Sequence, residues 1–140
     1  MGSIADYRCA KCGAYTEDAL CSVCMCKPAA SQSKAMTWFL SKGCDVATPA
    51  RENAPYDMVV KGRTGWRTVQ VKTAYLDGKH MRVNLCRTDS TSRKPYEPGE
   101  TDYFFVVCDS DGYLIPYSEW ESDPKMRINI EAKKYVRFRV

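Results

Sequence analysis

Tyr56-Asp57-Met58-Val59-Val60, the turn Lys61-Gly62-Arg63-Thr64-Gly65, and Thr68-Val69-Gln70-Val71-Lys72-Thr73 read as two strands joined by a tight hairpin. Side chains alternate across a strand, so Val69 and Val71 face one way and Gln70 and Lys72 the other. In the first strand Asp57 goes with Val59, and antiparallel pairing brings Asp57, Gln70 and Lys72 to one edge. A carboxylate and an amide oxygen suit a hard cation such as Mg²⁺, and a neighbouring lysine can orient or deprotonate a water for attack on a phosphodiester. Taken alone, these three residues are better read as a surface aspartate with a satisfied lysine partner.

Upstream, Lys27-Pro-Ala-Ala-Ser-Gln-Ser33 reads as a linker running into a helix start, with Ser31 or Ser33 as N-cap. Ala35, Met36, Phe39 and Leu40 recur at helical spacing and Gly43 closes the helix, which predicts one helix near 32–42. Strand-like runs are expected at Cys44–Ala47, Tyr56–Lys61, Arg67–Thr73, Met81–Cys86, Tyr103–Cys108 and Tyr113–Pro116. Asp77-Gly78 and Asp109-Ser-Asp-Gly112 mark turns between them. The polar, Pro-bearing stretch Thr88 to Gly99 reads as a mobile loop. The tail segments Met126–Ile130 and Tyr135–Val140 alternate like paired edge strands, as fit for an oligomer interface as for a further DNA contact. The order, helix then sheet, reads as an α/β chain of the α+β type, with no internal repeats.

The chain has 140 residues, 44% hydrophobic and 27% charged, with a net charge of +4. That is one ordinary globular domain, or a small domain with an appendage, and excludes disordered and fibrous classes. Residues 31–100 carry twelve basic and seven acidic side chains, while the flanking segments are balanced to within one, a bias that favours a polyanionic partner. No apolar run approaches a membrane span and the start lacks the pattern of a secretory signal. The expected location is therefore the cytoplasm, away from membranes, and the nucleoid if the host is a bacterium, an archaeon or a phage.

Five of the eight cysteines fall between Cys9 and Cys26. Cys9-Ala-Lys-Cys12-Gly and Cys21-Ser-Val-Cys24 are two C-x2-C knuckles, enough thiolates to close a tetrahedron around one Zn²⁺. A disulfide framework fits poorly with a chain lacking a signal, and tandem knuckles exceed what a redox motif needs. The ligand set read here is Cys9, Cys12, Cys21 and Cys24, with Cys26 a competitor for the fourth position. So short a segment needs metal to fold, which makes the zinc structural and sets domains at 1–28, a zinc ribbon, and 29–140. Cys44, Cys86 and Cys108 stand alone in apolar surroundings, as small core residues do.

The wider pattern changes the reading of the hairpin. A helix closed by Gly43, then Cys44-Asp-Val-Ala-Thr-Pro49, Asn53-Ala-Pro55-Tyr56-Asp57 and Gln70-Val-Lys72 resembles the PD-(D/E)XK nuclease superfamily. The likeness is to its small branch shared by group I intron homing endonucleases and archaeal Holliday-junction-resolvase-like proteins. It extends through Tyr103-Phe-Phe-Val-Val and Tyr113-Leu-Ile-Pro116, roughly residues 32 to 118. It implies a restriction-endonuclease-like core, a mixed sheet flanked by helices with a metal-bearing cleft, and a DNA endonuclease that hydrolyses phosphodiester bonds. By that resemblance Asp57 ligates Mg²⁺, Gln70 holds the second motif position, the Val71 carbonyl completes the coordination and Lys72 handles the attacking water. Gln70 stands where an acidic residue is usual, a swap the intron-homing branch accepts. A glutamate expected on the first helix, about eleven residues before Gly43, falls on Gln32. Gln32 shares a helical stripe with Met36 and Phe39, and Glu52 is a substitute carboxylate from the loop before Asp57.

Arg63, Arg67, Lys79, Arg82, Arg87, Arg93 and Lys94 lie on turns and loops around the expected cleft, as phosphate contacts would, with Tyr75 and Tyr96 available for stacking. His80 is read as a solvent residue at a hairpin tip, and Trp38, Trp66 and Trp120 as packing residues. The leading reading is a homing-type endonuclease. The alternatives are a Holliday-junction resolvase, or an inactive DNA-binding or assembly module that keeps the fold. A chain this small cuts both strands only as a homodimer or higher assembly.

Overall fold

In the computed structural model the described residues are 22–88 and 92–140, with side chains from 30 to 87 and from 92 to 140. Cys9, Cys12 and Cys21 lie outside them, and Cys24 is described by its backbone alone. Helix α1 runs Ser22–Ser41, so the segment expected as a linker is helical and the helix begins ten residues before the sequence reading. Met, Lys and Ala in this stretch are good helix formers, and they outweigh the break suggested by Pro28 and the two serines. Gly43 ends the helix at φ +80°. The Gly43 N–H donates to Leu40 O at 3.0 Å and the Cys44 N–H to Phe39 O at 3.1 Å, the double closure that a left-handed residue after a helix permits.

The strands are β1 (Asp45–Ala47), β2 (Met58–Gly62), β3 (Gly65–Thr73), β4 (Tyr75–Asp77), β5 (His80–Asn84), β6 (Arg87–Thr88), β7 (Arg93–Lys94), β8 (Tyr103–Cys108), β9 (Asp111–Pro116) and β10 (Arg127–Asn129); short helices α2 (Tyr117–Glu121) and α3 (Lys133–Val136) flank β10. The main sheet is ordered β1-β2-β3-β8-β9. Only the central β3–β8 pair is parallel, and the segment from β4 to β7 makes the crossover it requires. Asp102 fixes the entry to β8, its Oδ2 accepting the Thr68 N–H at 2.9 Å.

Each face of this sheet carries its own core. On one face Ala35 and Phe39 of α1 pack on Met58, Val60, Val69, Val71, Phe105 and Val107. Leu40 is 54% exposed, because the buried stripe of α1 is Ser31, Ala35 and Phe39, at i, i+4 and i+8. On the other face Phe104, Val106 and Ile115 meet Trp120 of α2, Tyr135 of α3, and Val83 and Ile128 of the small sheet β10-β5-β4. Strand β8 is therefore buried on both faces, which explains its continuous Tyr-Phe-Phe-Val-Val-Cys run.

Three expectations are corrected. The loop from Thr88 contains the β6–β7 ladder, with Arg87 opposite Lys94. The tail is not a strand pair: β10 pairs with β5, whereas Tyr135 lies in α3 and only Arg139 bridges to Tyr113. Tyr135 and Phe138 both pack on the core cluster, three residues apart, so helical spacing prevails over the apparent alternation. Trp66 is 48% exposed at the hairpin end, with Lys61 Nζ 5.9 Å from its ring centre; Trp38, packed on Phe39 and Phe105, and Trp120, 1% exposed, are the packing tryptophans.

Candidate active site

The hairpin register places Met58 opposite Val69, so Asp57 stands one step before β2, opposite Gln70. The Asp57 N–H donates to Val69 O at 2.9 Å and prolongs the pairing. The next step of the ladder is made by the side chain: Asp57 Oδ2 accepts the Val71 N–H at 2.8 Å. In an extended strand a residue's N–H and C=O leave on the same side, so the Val71 carbonyl is directed to the gap that Asp57 opens in the sheet. Gln32 reaches Asp57 from α1, its Nε2 donating to Oδ1 at 3.1 Å. On the preceding residue, the buried Ser31 hydroxyl bonds that of Thr73 at 2.7 Å, tying α1 to the end of β3. Both oxygens of Asp57 are thus fixed. Burial pushes its carboxyl above the ordinary value, opposed in part by the Val71 N–H and by the charge of Lys72.

Gln70 and Lys72 leave β3 on the face away from α1. With Glu52, Asn53, Pro55, Cys86, Arg87 and Tyr96 they line a cavity of about 590 Å³. Lys72 Nζ donates to Cys86 O at 3.0 Å and lies 5.2 Å from the centre of the Tyr96 ring. Burial holds this ammonium below the usual lysine value, while Cys86 and Asp57 pull it partly back. The expected residues therefore fall into two linked groups, Gln32 with Asp57 and the Val71 amide, and Gln70 with Lys72 and Glu52.

Of the seven cations read as phosphate contacts, Arg87 alone lines this cavity, and it is paired with Glu100. Arg63 is at the opposite end of the hairpin, in a depression shared with Lys42 and Lys61. Arg67 lies beside Asp102 and Glu121, Arg82 pairs with Asp77 at 3.1 Å, and Lys79, Arg93 and Lys94 are exposed. His80 is exposed at the tip of the β4–β5 hairpin, as expected. Tyr96 is only 5% exposed and packs on Phe104, so it is not a stacking platform. The sequence reading missed the Cys86 carbonyl, which no side-chain pattern reveals, and the placement of Tyr96 against Lys72.

A mixed sheet with α1 on one face, carrying Asp57 and Lys72 on a hairpin, defines a mixed α/β fold with a restriction-endonuclease-like core. The chain belongs to the PD-(D/E)XK endonuclease family, whose model matches residues 27–138, a longer span than the motifs alone suggested. Among solved structures, that of the bacterial homing endonuclease I-Ssp6803I is similar at a TM-score of 0.72 and 21% identity, covering 81% of this chain and 86% of that one. The chain is thus a PD-(D/E)XK endonuclease with a homing-endonuclease-like fold. A comparison with curated proteins found no match. No helix among the described residues is long and apolar enough to cross a membrane.

Proposed function

We propose that the chain is a Mg²⁺-dependent DNA endonuclease of the homing type that hydrolyses phosphodiester bonds at Asp57. The observation that carries this reading is the fixing of both Asp57 oxygens, at 2.8 Å by the Val71 amide and at 3.1 Å by Gln32, beside a lysine on the paired strand. Asp57, the Gln70 side chain and the Val71 carbonyl offer oxygen donors alone, the chemistry Mg²⁺ takes. Mg²⁺ bound there supplies Lewis-acid activation of the scissile phosphate. Asp57 anchors it, Gln70 contributes a neutral ligand, and Lys72 orients the attacking water and holds or accepts its proton. Gln32 fixes the Asp57 rotamer, and the exposed Glu52, which lines the same cavity as Gln70 and Lys72, is a further carboxylate for the site. Arg63, Arg67, Lys79, Arg82, Arg87, Arg93 and Lys94 are proposed to bind the DNA backbone, with Arg82 and Arg87 exchanging their carboxylate partners for phosphate.

On spacing alone, Cys9, Cys12, Cys21 and Cys24 are proposed to hold a structural Zn²⁺ that makes residues 1–28 a zinc ribbon ahead of the nuclease domain. Metal analysis finding one equivalent of zinc, lost in Cys9→Ser, supports this; zinc-free folded protein refutes it. Two-fold or higher assembly supplies the second site that a double-strand cut needs.

The inactive-module reading has one specific observation behind it: the helix position nearest Asp57 is an amide, not a carboxylate. Incubation with plasmid and with a synthetic four-way junction in Mg²⁺ or Mn²⁺ decides. Cutting of linear duplex at a long site supports homing, and cutting of the junction alone replaces homing by resolution. Binding of both without cutting refutes the endonuclease reading.

A further inference from the structure

Lys72 makes its hydrogen bond to the Cys86 carbonyl at 3.0 Å and not to Asp57, whose oxygens go to Gln32 and Val71. Its ammonium also faces the Tyr96 ring at 5.2 Å. Neither partner belongs to the hairpin: Cys86 follows β5 and Tyr96 follows β7. Both are 5% exposed, and Tyr96 is itself braced. Its ring stands edge-on to Phe104 at 5.2 Å, and its carbonyl accepts the Tyr117 hydroxyl at 3.0 Å. A lysine stem has many rotamers, and an ammonium close to a half-buried carboxylate tends to collapse onto it.

We propose that Tyr96, with the Cys86 carbonyl, is a socket that positions Lys72, holding its ammonium at the cavity and away from an ion pair with Asp57. The ring supplies an electron-rich face that attracts a cation without competing as a hydrogen-bond acceptor. Asp57 thereby stays open to a cation while Lys72 stays directed at the water. This rests on the endonuclease reading above and assigns Tyr96 as a positioning residue for it.

The test compares Tyr96→Leu, Tyr96→Phe and Tyr135→Leu in plasmid cleavage with Mg²⁺, at a temperature where circular dichroism shows all three folded. Tyr135→Leu removes a ring from the same core cluster at α3, outside the residues that line the cavity, and so measures general loosening. The expected result is a fall in kcat of about tenfold or more for Tyr96→Leu with KM for DNA little changed, as misplacement of a reacting group gives. Tyr96→Phe and Tyr135→Leu stay close to wild type. If Tyr96→Leu does not fold, Tyr96→Met, which keeps most of the volume without the ring, replaces it. Equal losses in the ringless variant and Tyr135→Leu, or equal losses in Tyr96→Phe and Tyr96→Leu, overturn the socket while leaving the endonuclease reading intact. A wild-type protein that cuts no DNA overturns both.

Discussion

Gln32 on α1 donates its side-chain amide to Asp57 Oδ1 at 3.1 Å. The helix position from which the family resemblance led one to expect a carboxylate is therefore in place spatially and altered chemically. An amide donor beside the half-buried carboxylate stabilises the metal-free protein, because two carboxylates at that separation repel. At the Mg²⁺ site proposed above, the same exchange leaves Asp57 and two neutral amides to attract the cation. Gln32 can join such a cation only by turning its amide so that Oε1 replaces Nε2.

Gln32→Glu should exchange these properties. In EDTA its melting temperature falls below that of wild type, since the hydrogen bond becomes a like-charge contact. Ca²⁺, titrated calorimetrically as a non-cleaving stand-in for Mg²⁺, binds about tenfold or more tightly, because a second carboxylate adds charge to the site. Equal Ca²⁺ affinity in the two proteins would place Gln32 outside the cation's reach. Gln70→Glu should also tighten binding, without the loss of metal-free stability that Gln32→Glu suffers.

The Asp57 carboxyl is pushed up by burial, so the folded protein holds its proton more firmly than the unfolded chain does. The stability this contributes is complete below the ordinary value of 3.8 and is lost as pH rises through the folded value. Asp57→Asn, whose amide can pair with Gln32 and whose oxygen still accepts the Val71 N–H, is thus expected to be more stable than wild type at pH 7 in EDTA. Urea denaturation from pH 4 to pH 7.5 checks this; the advantage of Asn should grow with pH, and a pH-independent difference contradicts it.

Ser31 is buried and its hydroxyl bonds Thr73 at 2.7 Å. Ser31→Ala should cost about 0.5–1.5 kcal/mol in chemical denaturation, the usual net value of one such bond. Because Gln32 is the next residue, cleavage should fall as well. Full activity in a destabilised Ser31→Ala would separate the tether from the site.

Trp66 and Trp120 should respond oppositely to truncation. Trp120→Ala opens a void at a side chain 1% exposed that donates to Lys125 O at 2.9 Å, a loss of about 3–5 kcal/mol. Trp66→Ala should stay within about 0.5 kcal/mol, as exposed substitutions do. Urea melts of the two variants measure both.

The hairpin was legible because a short turn and a period of two fix which side chains share a face, which brought Asp57, Gln70 and Lys72 together; reading them as a site took the family resemblance. Gln32 followed from the family resemblance, which marks a helix position about eleven residues before Gly43; helical geometry then made that sequence distance a spatial one. The helix start was misread because Pro28 and the serines are local break and cap signals, whereas the helix formers Met25, Lys27, Ala29 and Ala30 carry α1 through them. The Lys72 socket was not legible. Its partners come from the crossover between two parallel strands, and where a crossover lays its chain depends on long-range packing against Phe104 and Trp120. Trp66 was misjudged because residue type alone does not distinguish a core tryptophan from one carried out on a hairpin end.

The central claim is that Asp57 and Lys72 form the site of Mg²⁺-dependent strand cleavage. Plasmid cleavage in Mg²⁺ by the wild type, Asp57→Ala and Lys72→Ala tests it, with circular dichroism and DNA affinity measured alongside. The expected result is cleavage by the wild type alone, with both variants folded and still binding DNA. Cleavage by Asp57→Ala at the wild-type rate would contradict the claim and place the chemistry elsewhere on the chain.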